Sequence, residues 1–100
     1  MIIKELNVHG IKPECVERYR EMHRNIWPEL EEEYRRRGFR RISCFMNGPS
    51  LLVYMEYDEK TSVEVDNPVE REWLKLMDIV ADKEYDSTAP SYELVYSLEG

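Results

Sequence analysis

Alternation of apolar and polar residues is the first regular pattern in the chain. At the start, Ile2, Leu6 and Val8 fall on one side of an extended segment, which is the period-two pattern of a half-buried β-strand. Further strand-like stretches, bounded by turn residues, occur in the middle and at the end of the chain. We therefore predict four strands, over residues 1–8, 39–46, 51–57 and 91–98.

Helical spacing occupies the region between the first two strands. Apolar residues there recur at steps of three or four, which predicts an amphipathic helix that begins near Pro13 and ends near Gly38. Within it, Pro28 cannot donate the helical hydrogen bond, and it displaces the preceding residue from helical geometry. We therefore expect a kink or a restart of the helix at Trp27–Pro28.

Capping residues predict a second helix after the third strand. Asn67 can cap this helix, Pro68 suits its first position, and Glu70 is placed for a reciprocal capping bond. The apolar stripe of the helix contains Val69, Trp73, Leu76 or Met77, and Val80. Residues 47–50, Asn-Gly-Pro-Ser, favour a hairpin between the second and third strands. Residues 82–90 are predicted to form a polar loop.

The predicted order of elements is β-α-β-β-α-β in a single domain spanning residues 1–100. This order is typical of the ferredoxin-like α+β fold, in which two helices cover one face of a four-stranded antiparallel sheet. The strands are rich in tyrosine and methionine, so we expect the other face to be covered as well. Two such sheets packed face to face would form a dimeric α/β barrel.

Composition and charge narrow the range of functions. Hydrophobic residues make up 42% of the chain and charged residues 35%, which is typical of a globular protein. The formal net charge of −7 argues against a nucleic-acid-binding protein, because such proteins depend on clustered cations. The one basic cluster, residues 35–37 with 40–41, flanks Gly38 and is expected to complement the carbonyl end of a helix.

Two cysteines, Cys15 and Cys44, lie in apolar patterns without the spacing of metal ligands. We therefore expect reduced core thiols in a cytoplasmic protein and no bound metal. No apolar run approaches the length of about 18 residues that a membrane span requires, so we expect no membrane association.

Tyr19 and His23 are the candidate chemical residues. They are one helical turn apart, so their side chains lie next to each other on the apolar face of the first helix. An imidazole can take up or release a proton near neutral pH, which suits His23 to acid–base catalysis. A hydrogen-bonded core histidine is the alternative, and Tyr19 and Trp73 can equally be core residues. His9 has no apparent partner and is assigned to the end of a strand.

The segment Tyr19-x-x-x-His23, followed by Ile-Trp-Pro-Glu-Leu at residues 26–30, resembles the signature of the L-rhamnose mutarotases. Residues 73–77 and 91–96 are similar to later motifs of that family. The resemblance implies a small dimeric enzyme that interconverts the two anomers of a sugar. Because mutarotation consists of proton transfers, it requires no metal or organic cofactor, and a positioned acid and base suffice.

The resemblance also assigns roles to individual residues. His23 matches the general acid of the family, Tyr19 its substrate-contacting tyrosine and Trp73 a tryptophan of its binding pocket. Leu74 replaces a second tryptophan, and Ile42 replaces a substrate-contacting tyrosine. We therefore expect a monosaccharide substrate, with L-rhamnose first and another deoxy sugar such as L-fucose next. The alternative from another class is a non-catalytic ligand-binding protein with the same dimeric barrel fold.

Overall fold

The computed structural model describes residues 1–61 and 67–99. In these residues the chain forms an α+β domain with three strands and four α-helices. The strands are β1 (Ile2–Gly10), β2 (Phe39–Asn47) and β3 (Ser50–Asp58). The helices are α1 (Val16–Arg24), α2 (Pro28–Arg37), α3 (Pro68–Val80) and α4 (Lys83–Thr88), and a 3₁₀ turn (Pro13–Cys15) precedes α1.

The described strands form one antiparallel sheet with β3 in the centre, between β1 and β2. Leu51 pairs with His9 on one side and with Met46 on the other, so these three side chains share one face. Leu51 belongs to the buried core, and this face is therefore the helix-covered face of the sheet. The opposite face, which we call the open face, carries Leu52 and the side chains level with it.

The core lies between the helix-covered face and helices α1 and α3. Ile11, Tyr19, Leu51 and Val80 form a cluster of buried side chains, and Val80 is fully buried. Because helix residues three or four positions apart share a face, α1 and α3 each direct one apolar stripe into this cluster. The cluster therefore fixes how α1 lies on the sheet.

The predicted break in the first helix is confirmed. Helix α1 ends at Arg24 and α2 begins at Pro28, with Trp27 in an extended conformation between them (φ −69°, ψ 125°). Proline at the first position of α2 costs no hydrogen bond, because that N–H has no helical partner. Gly38 ends α2 at a positive φ of 110°, as predicted for a C-terminal glycine.

The predicted cap of the second long helix is also confirmed. The Asn67 side chain accepts hydrogen bonds from the N–H groups of Val69 and Glu70, at 2.9 and 3.1 Å. The Glu70 carboxylate, however, accepts a hydrogen bond from Arg37 at 2.9 Å. Glu70 therefore connects α3 to α2.

The prediction of a loop over residues 82–90 was wrong, because Lys83–Thr88 form α4. Asp82 caps this helix by accepting a hydrogen bond from the Tyr85 N–H at 3.1 Å. The polar composition of the segment suits a short helix with one exposed side.

None of the helices in the described part of the chain has the length and apolar character that crossing a membrane requires.

The predicted fourth strand is not formed in the single chain. Residues 91–99 have no helix or strand assignment, and Val95 and Tyr96 are 85% and 77% exposed. Lys4 of β1 donates a side-chain hydrogen bond to Ser97 Oγ at 2.9 Å, so the segment passes beside β1. Alternation predicts only that one side of a strand would be buried, and residues 91–99 instead lie exposed beside β1.

Candidate active site

A cavity of about 1000 Å³ lies between the helix-covered face of the sheet and helices α1, α2 and α3. This volume is at the upper end of the range of roughly 300–1,000 Å³ that is usual for small-molecule sites. The structure places all three predicted site residues along this one cavity, together with the two positions that depart from the family pattern. These residues are Tyr19, His23, Trp73, Ile42 and Leu74.

His23 is held by the backbone of its own helix. Its Nδ1 lies 2.9 Å from the carbonyl oxygen of Tyr19, one turn earlier. A carbonyl oxygen can only accept a hydrogen bond, so Nδ1 carries the hydrogen and Nε2 of the neutral ring carries the lone pair. Burial lowers the pKa of His23 from its usual 6.5, and the bond to the Tyr19 carbonyl offsets part of this effect. Near pH 7 the ring is therefore mostly neutral, with Nε2 ready to accept a proton.

Tyr19 supports His23 from the side. The two rings stack with their centroids 4.0 Å apart, and Tyr19 is only 4% exposed. Burial, and secondly the charge of Cys44 and a hydrogen bond to its thiol, raise the pKa of Tyr19 far above its usual value, so the phenol stays protonated. The ring and the carbonyl of Tyr19 thus both orient His23, a role that sequence analysis did not assign. Its predicted contact with substrate remains a prediction.

Trp73 closes the other side of the imidazole. Its ring meets His23 edge to face at 5.2 Å and Trp27 in the same manner at 5.3 Å. Such pairs contribute roughly 0.5–1.5 kcal/mol beyond the area they bury. Trp27, at the helix break, therefore supports Trp73. We call Tyr19, His23, Trp27 and Trp73 the aromatic cluster.

The opposite end of the cavity is charged. The buried Arg37 guanidinium donates from Nε to Glu33 at 3.0 Å and from Nη1 to Glu70 at 2.9 Å. Burial raises the pKa of Tyr34 above its usual value, and a hydrogen bond to Glu70 raises it further. We call Glu33, Tyr34, Arg37 and Glu70 the charged end. Sequence analysis did not predict it, because the basic run around Gly38 was attributed to the helix macrodipole.

A second histidine also lines the cavity. His9, at the end of β1, has Nδ1 3.6 Å from Asp86 Oδ1 of α4. Sequence analysis found no partner for His9, because α4 was predicted to be a loop and the two residues are far apart in the chain. In residues 1–61 and 67–99, no group of three or more histidine, cysteine or acidic side chains is placed to hold a metal ion.

Fold and site together define a small α+β protein with a histidine packed between aromatic rings at the wall of a cavity. A family model described as L-rhamnose mutarotase matches residues 6–99. The chain therefore belongs to the L-rhamnose mutarotase family, an isomerase family that acts on sugar anomers. The predicted family and the predicted class of enzyme are confirmed, and the match favours this function over the non-catalytic alternative.

Individual relatives agree with the family match. The L-rhamnose mutarotase of Tolumonas auensis is 27% identical over 97 residues, which cover 93% of each chain. That of Oceanobacillus iheyensis is 27% identical over 88 residues, covering 84% of this chain and 85% of the relative. The crystal structure of an L-rhamnose mutarotase from Formosa agariphila superposes with a TM-score of 0.75 and 17% identity, covering 97% of this chain and 99% of that one. This last likeness shows that the two proteins share a fold.

Proposed function

We propose that this protein interconverts the α and β anomers of L-rhamnose, with His23 as a proton-transfer residue. The observation that carries the proposal is the position of the His23 ring. Its Nδ1 is bonded to the Tyr19 carbonyl, and the residue lines a cavity large enough for a monosaccharide. General acid–base catalysis by one such group typically contributes about 10²–10⁴-fold in rate.

The tautomer of His23 suggests the order of the proton transfers. In ring opening, Nε2 of the neutral imidazole accepts the proton of the anomeric hydroxyl while the ring oxygen gains a proton from a second group. The C1–C2 bond of the open sugar then rotates. In ring closure His23 returns its proton to the carbonyl oxygen at C1, and the ring oxygen gives its proton back. The predicted role of proton donor therefore belongs to the closing step.

Trp73 and Tyr19 are proposed to bind the sugar. An indole can pack against the apolar face of a deoxy sugar while its N–H binds a hydroxyl, and Trp73 presents its ring to the cavity beside His23. L-fucose is the second candidate substrate. It is considered because Ile42 and Leu74 line the cavity where the resemblance implies hydroxyl- or N–H-bearing aromatic side chains, so the choice of sugar differs from the family pattern at two positions.

We also infer a homodimer formed through the open face. Val8, Leu52 and Phe45 pair across the three strands and form one apolar row on that face, and Phe45 is 58% exposed. Burial of such a row against the same row of a second copy is the self-complementary contact of a two-fold dimer. In this dimeric α/β barrel, residues 91–98 would supply the fourth strand at the outer edge of β1.

Light scattering during size-exclusion chromatography tests the dimer. The native chain should have twice the mass of one chain, and Phe45→Glu should have the mass of a single chain.

Two free cysteines, Cys15 and Cys44, are consistent with a reducing compartment, and we propose a cytoplasmic location.

Saturation-transfer NMR on equilibrated sugars tests the activity. The resonance of one anomeric proton is irradiated, and loss of intensity at the other is followed with and without protein. We expect exchange with L-rhamnose that falls at least about 10²-fold in His23→Gln. Circular dichroism should show that this variant remains folded. No protein-dependent exchange with L-rhamnose or L-fucose would contradict the proposal.

A further inference from the structure

We propose that His9, positioned by Asp86, is the second proton-transfer residue of the site. The inference rests on the proposed mutarotation, which needs one group at the anomeric oxygen and another at the ring oxygen. His23 provides the first group. The structure assigns the second role to His9, which lies on a different element and lines the same cavity.

The register of the sheet directs His9 into the cavity. His9 is paired with Leu51 across the β1–β3 ladder, so both side chains are on the helix-covered face. Leu51 in turn belongs to the same core cluster as Tyr19, whose ring stacks on His23. Both histidines therefore line the one cavity, His9 from the sheet and His23 from helix α1.

Asp86 is fixed beside His9 by the backbone of β1. Its Oδ1 accepts a hydrogen bond from the Gly10 N–H at 2.6 Å, and the Gly10 carbonyl accepts one from the Asp82 N–H at 2.8 Å. The Tyr85 ring packs so closely that a Cβ on Gly10 would lie 2.6 Å from it. The glycine thus permits α4 to lie against the end of β1 and bring its carboxylate to His9.

The orientation of the His9 ring suits proton transfer. Nδ1 faces Asp86 at 3.6 Å, longer than a hydrogen bond, as is common for catalytic contacts before substrate binds. An Nδ1–H directed at a carboxylate leaves Nε2 as the ring nitrogen that serves the ligand, which is how an aspartate orients a histidine in acid–base sites. The side chain of His9 is 45% exposed, so a ligand can reach it.

Several other ionisable groups at the cavity are already engaged. Arg37 and Glu70 bond to each other, and burial keeps the Tyr19 phenol protonated while Cys44 takes its hydrogen bond. By contrast, His9 combines a positioned ring with an uncommitted nitrogen. This difference selects it as the partner of His23.

The proton transfers balance with two histidines. In ring opening, the C1–O5 bond breaks, Nε2 of His23 takes the proton of the anomeric hydroxyl, and Nε2 of His9 gives a proton to O5. In ring closure, O5 attacks C1, its proton returns to His9, and His23 protonates the anomeric oxygen. Each turnover leaves the enzyme with one transferable proton on the pair, as at the start. No oxidant, reductant or further reactant takes part.

The test measures anomer exchange by saturation-transfer NMR in four proteins. His9→Ala should slow exchange by at least about 10²-fold, the lower end of the usual contribution of one acid–base group, and added imidazole should restore part of the rate. Asn7→Ala is the matched control, because Asn7 lies on the same face of β1 but does not line the cavity. Asp86→Asn keeps an acceptor for the Gly10 N–H and should lower kcat while KM stays unchanged.

Rescue by imidazole and the split between kcat and KM distinguish proton transfer from a structural role. His9→Gln, a second variant of similar size, serves if His9→Ala fails to fold. One outcome would overturn the role of His9 and leave the proposed function intact. In that outcome the native protein catalyses exchange, His23→Gln loses it, and the folded His9→Ala or His9→Gln protein keeps it unchanged. Absence of exchange in the native protein would overturn both.

Discussion

The two ends of the cavity show opposite uses of polar side chains. At the charged end, Arg37 is 2% exposed and its guanidinium bonds to both Glu33 and Glu70. At the aromatic cluster, His23 has one nitrogen bonded to a carbonyl and the other left for a ligand. The salt bridges of the charged end join the helices, whereas His23 in the aromatic cluster keeps hydrogen-bonding capacity for the proton transfer proposed above.

The helix break separates these two regions. Helix α1 carries Tyr19 and His23, and α2, which restarts at Pro28, carries Glu33 and Arg37. Because the chain changes direction at Trp27, the two helices reach different parts of the cavity. Helix α3 contributes to both regions, with Glu70 in the charged end and Trp73 in the aromatic cluster.

The largest expected contrast is between His23→Gln and Arg37→Met. Loss of the imidazole should lower the exchange rate by about 10²–10⁴-fold with little change in Tm. Loss of the guanidinium leaves the Glu33 and Glu70 carboxylates without this buried cation, so Arg37→Met should lower Tm, by roughly 4–8 °C for each 1 kcal/mol lost, and leave exchange per folded molecule near the native rate.

Arg35→Met is the matched control for Arg37→Met. Arg35 is on the same helix but its side chain is 71% exposed, and its contact with Glu31 is 4.0 Å long, so the substitution should hardly change Tm. Differential scanning calorimetry and the NMR exchange assay at 25 °C provide the two readouts. An Arg37→Met protein that is stable but inactive would place the charged end in the catalytic machinery and remove the contrast.

A smaller effect is expected from restoring the family's aromatic residues at the cavity wall. Ile42→Tyr and Leu74→Trp should strengthen binding of L-rhamnose, because a hydrogen bond made to a sugar hydroxyl is worth about 0.5–1.5 kcal/mol, or roughly two- to tenfold in KM. Ile79→Trp is the control for Leu74→Trp, since Ile79 is on the same helix, is 48% exposed and does not line the cavity. Weaker binding of L-rhamnose by both restored variants would argue that the cavity is shaped for another sugar.

Local patterns predicted the aromatic cluster better than the charged end. The one-turn spacing of Tyr19 and His23, the break at Pro28 and the cap at Asn67 all depend on neighbouring residues, so the sequence contains the information needed to predict them. The partners of Arg37 and His9, by contrast, are Glu70 and Asp86, which are brought together only by the tertiary fold. Contacts of this kind have no periodic signature in a single sequence.

The fourth strand failed to form for a related reason. Residues 91–98 alternate as a strand should, but alternation states only that one side of a segment is to be buried. In the single chain every residue from 91 to 98 is exposed and none is in a strand. The α+β fold class could therefore be predicted from the order of the elements, whereas the number of strands could not.

The smallest predicted effect concerns pH and the buried state of His23. Because burial lowers the pKa of His23 in the folded protein below its usual 6.5, the unfolded chain binds more protons over the interval between the two values. The neutral ring therefore makes its full contribution to the free energy of unfolding above about pH 6.5. This contribution is lost as the pH falls through the lowered pKa of His23. Because His23 is a single titrating group, this term amounts to at most one proton per molecule.

Urea denaturation from pH 5 to pH 8 measures this term. The free energy of unfolding should fall more steeply with decreasing pH in the native protein than in His23→Gln, which has no imidazole to charge. The difference between the two proteins isolates His23, since carboxylates that titrate in the same range are common to both. Arg37→Met should keep the native slope at lower overall stability, because Arg37 stays charged throughout this range. Equal slopes for the native protein and His23→Gln would show that His23 is as easily protonated when folded as when unfolded, and the contrast between the two ends would then rest on geometry alone.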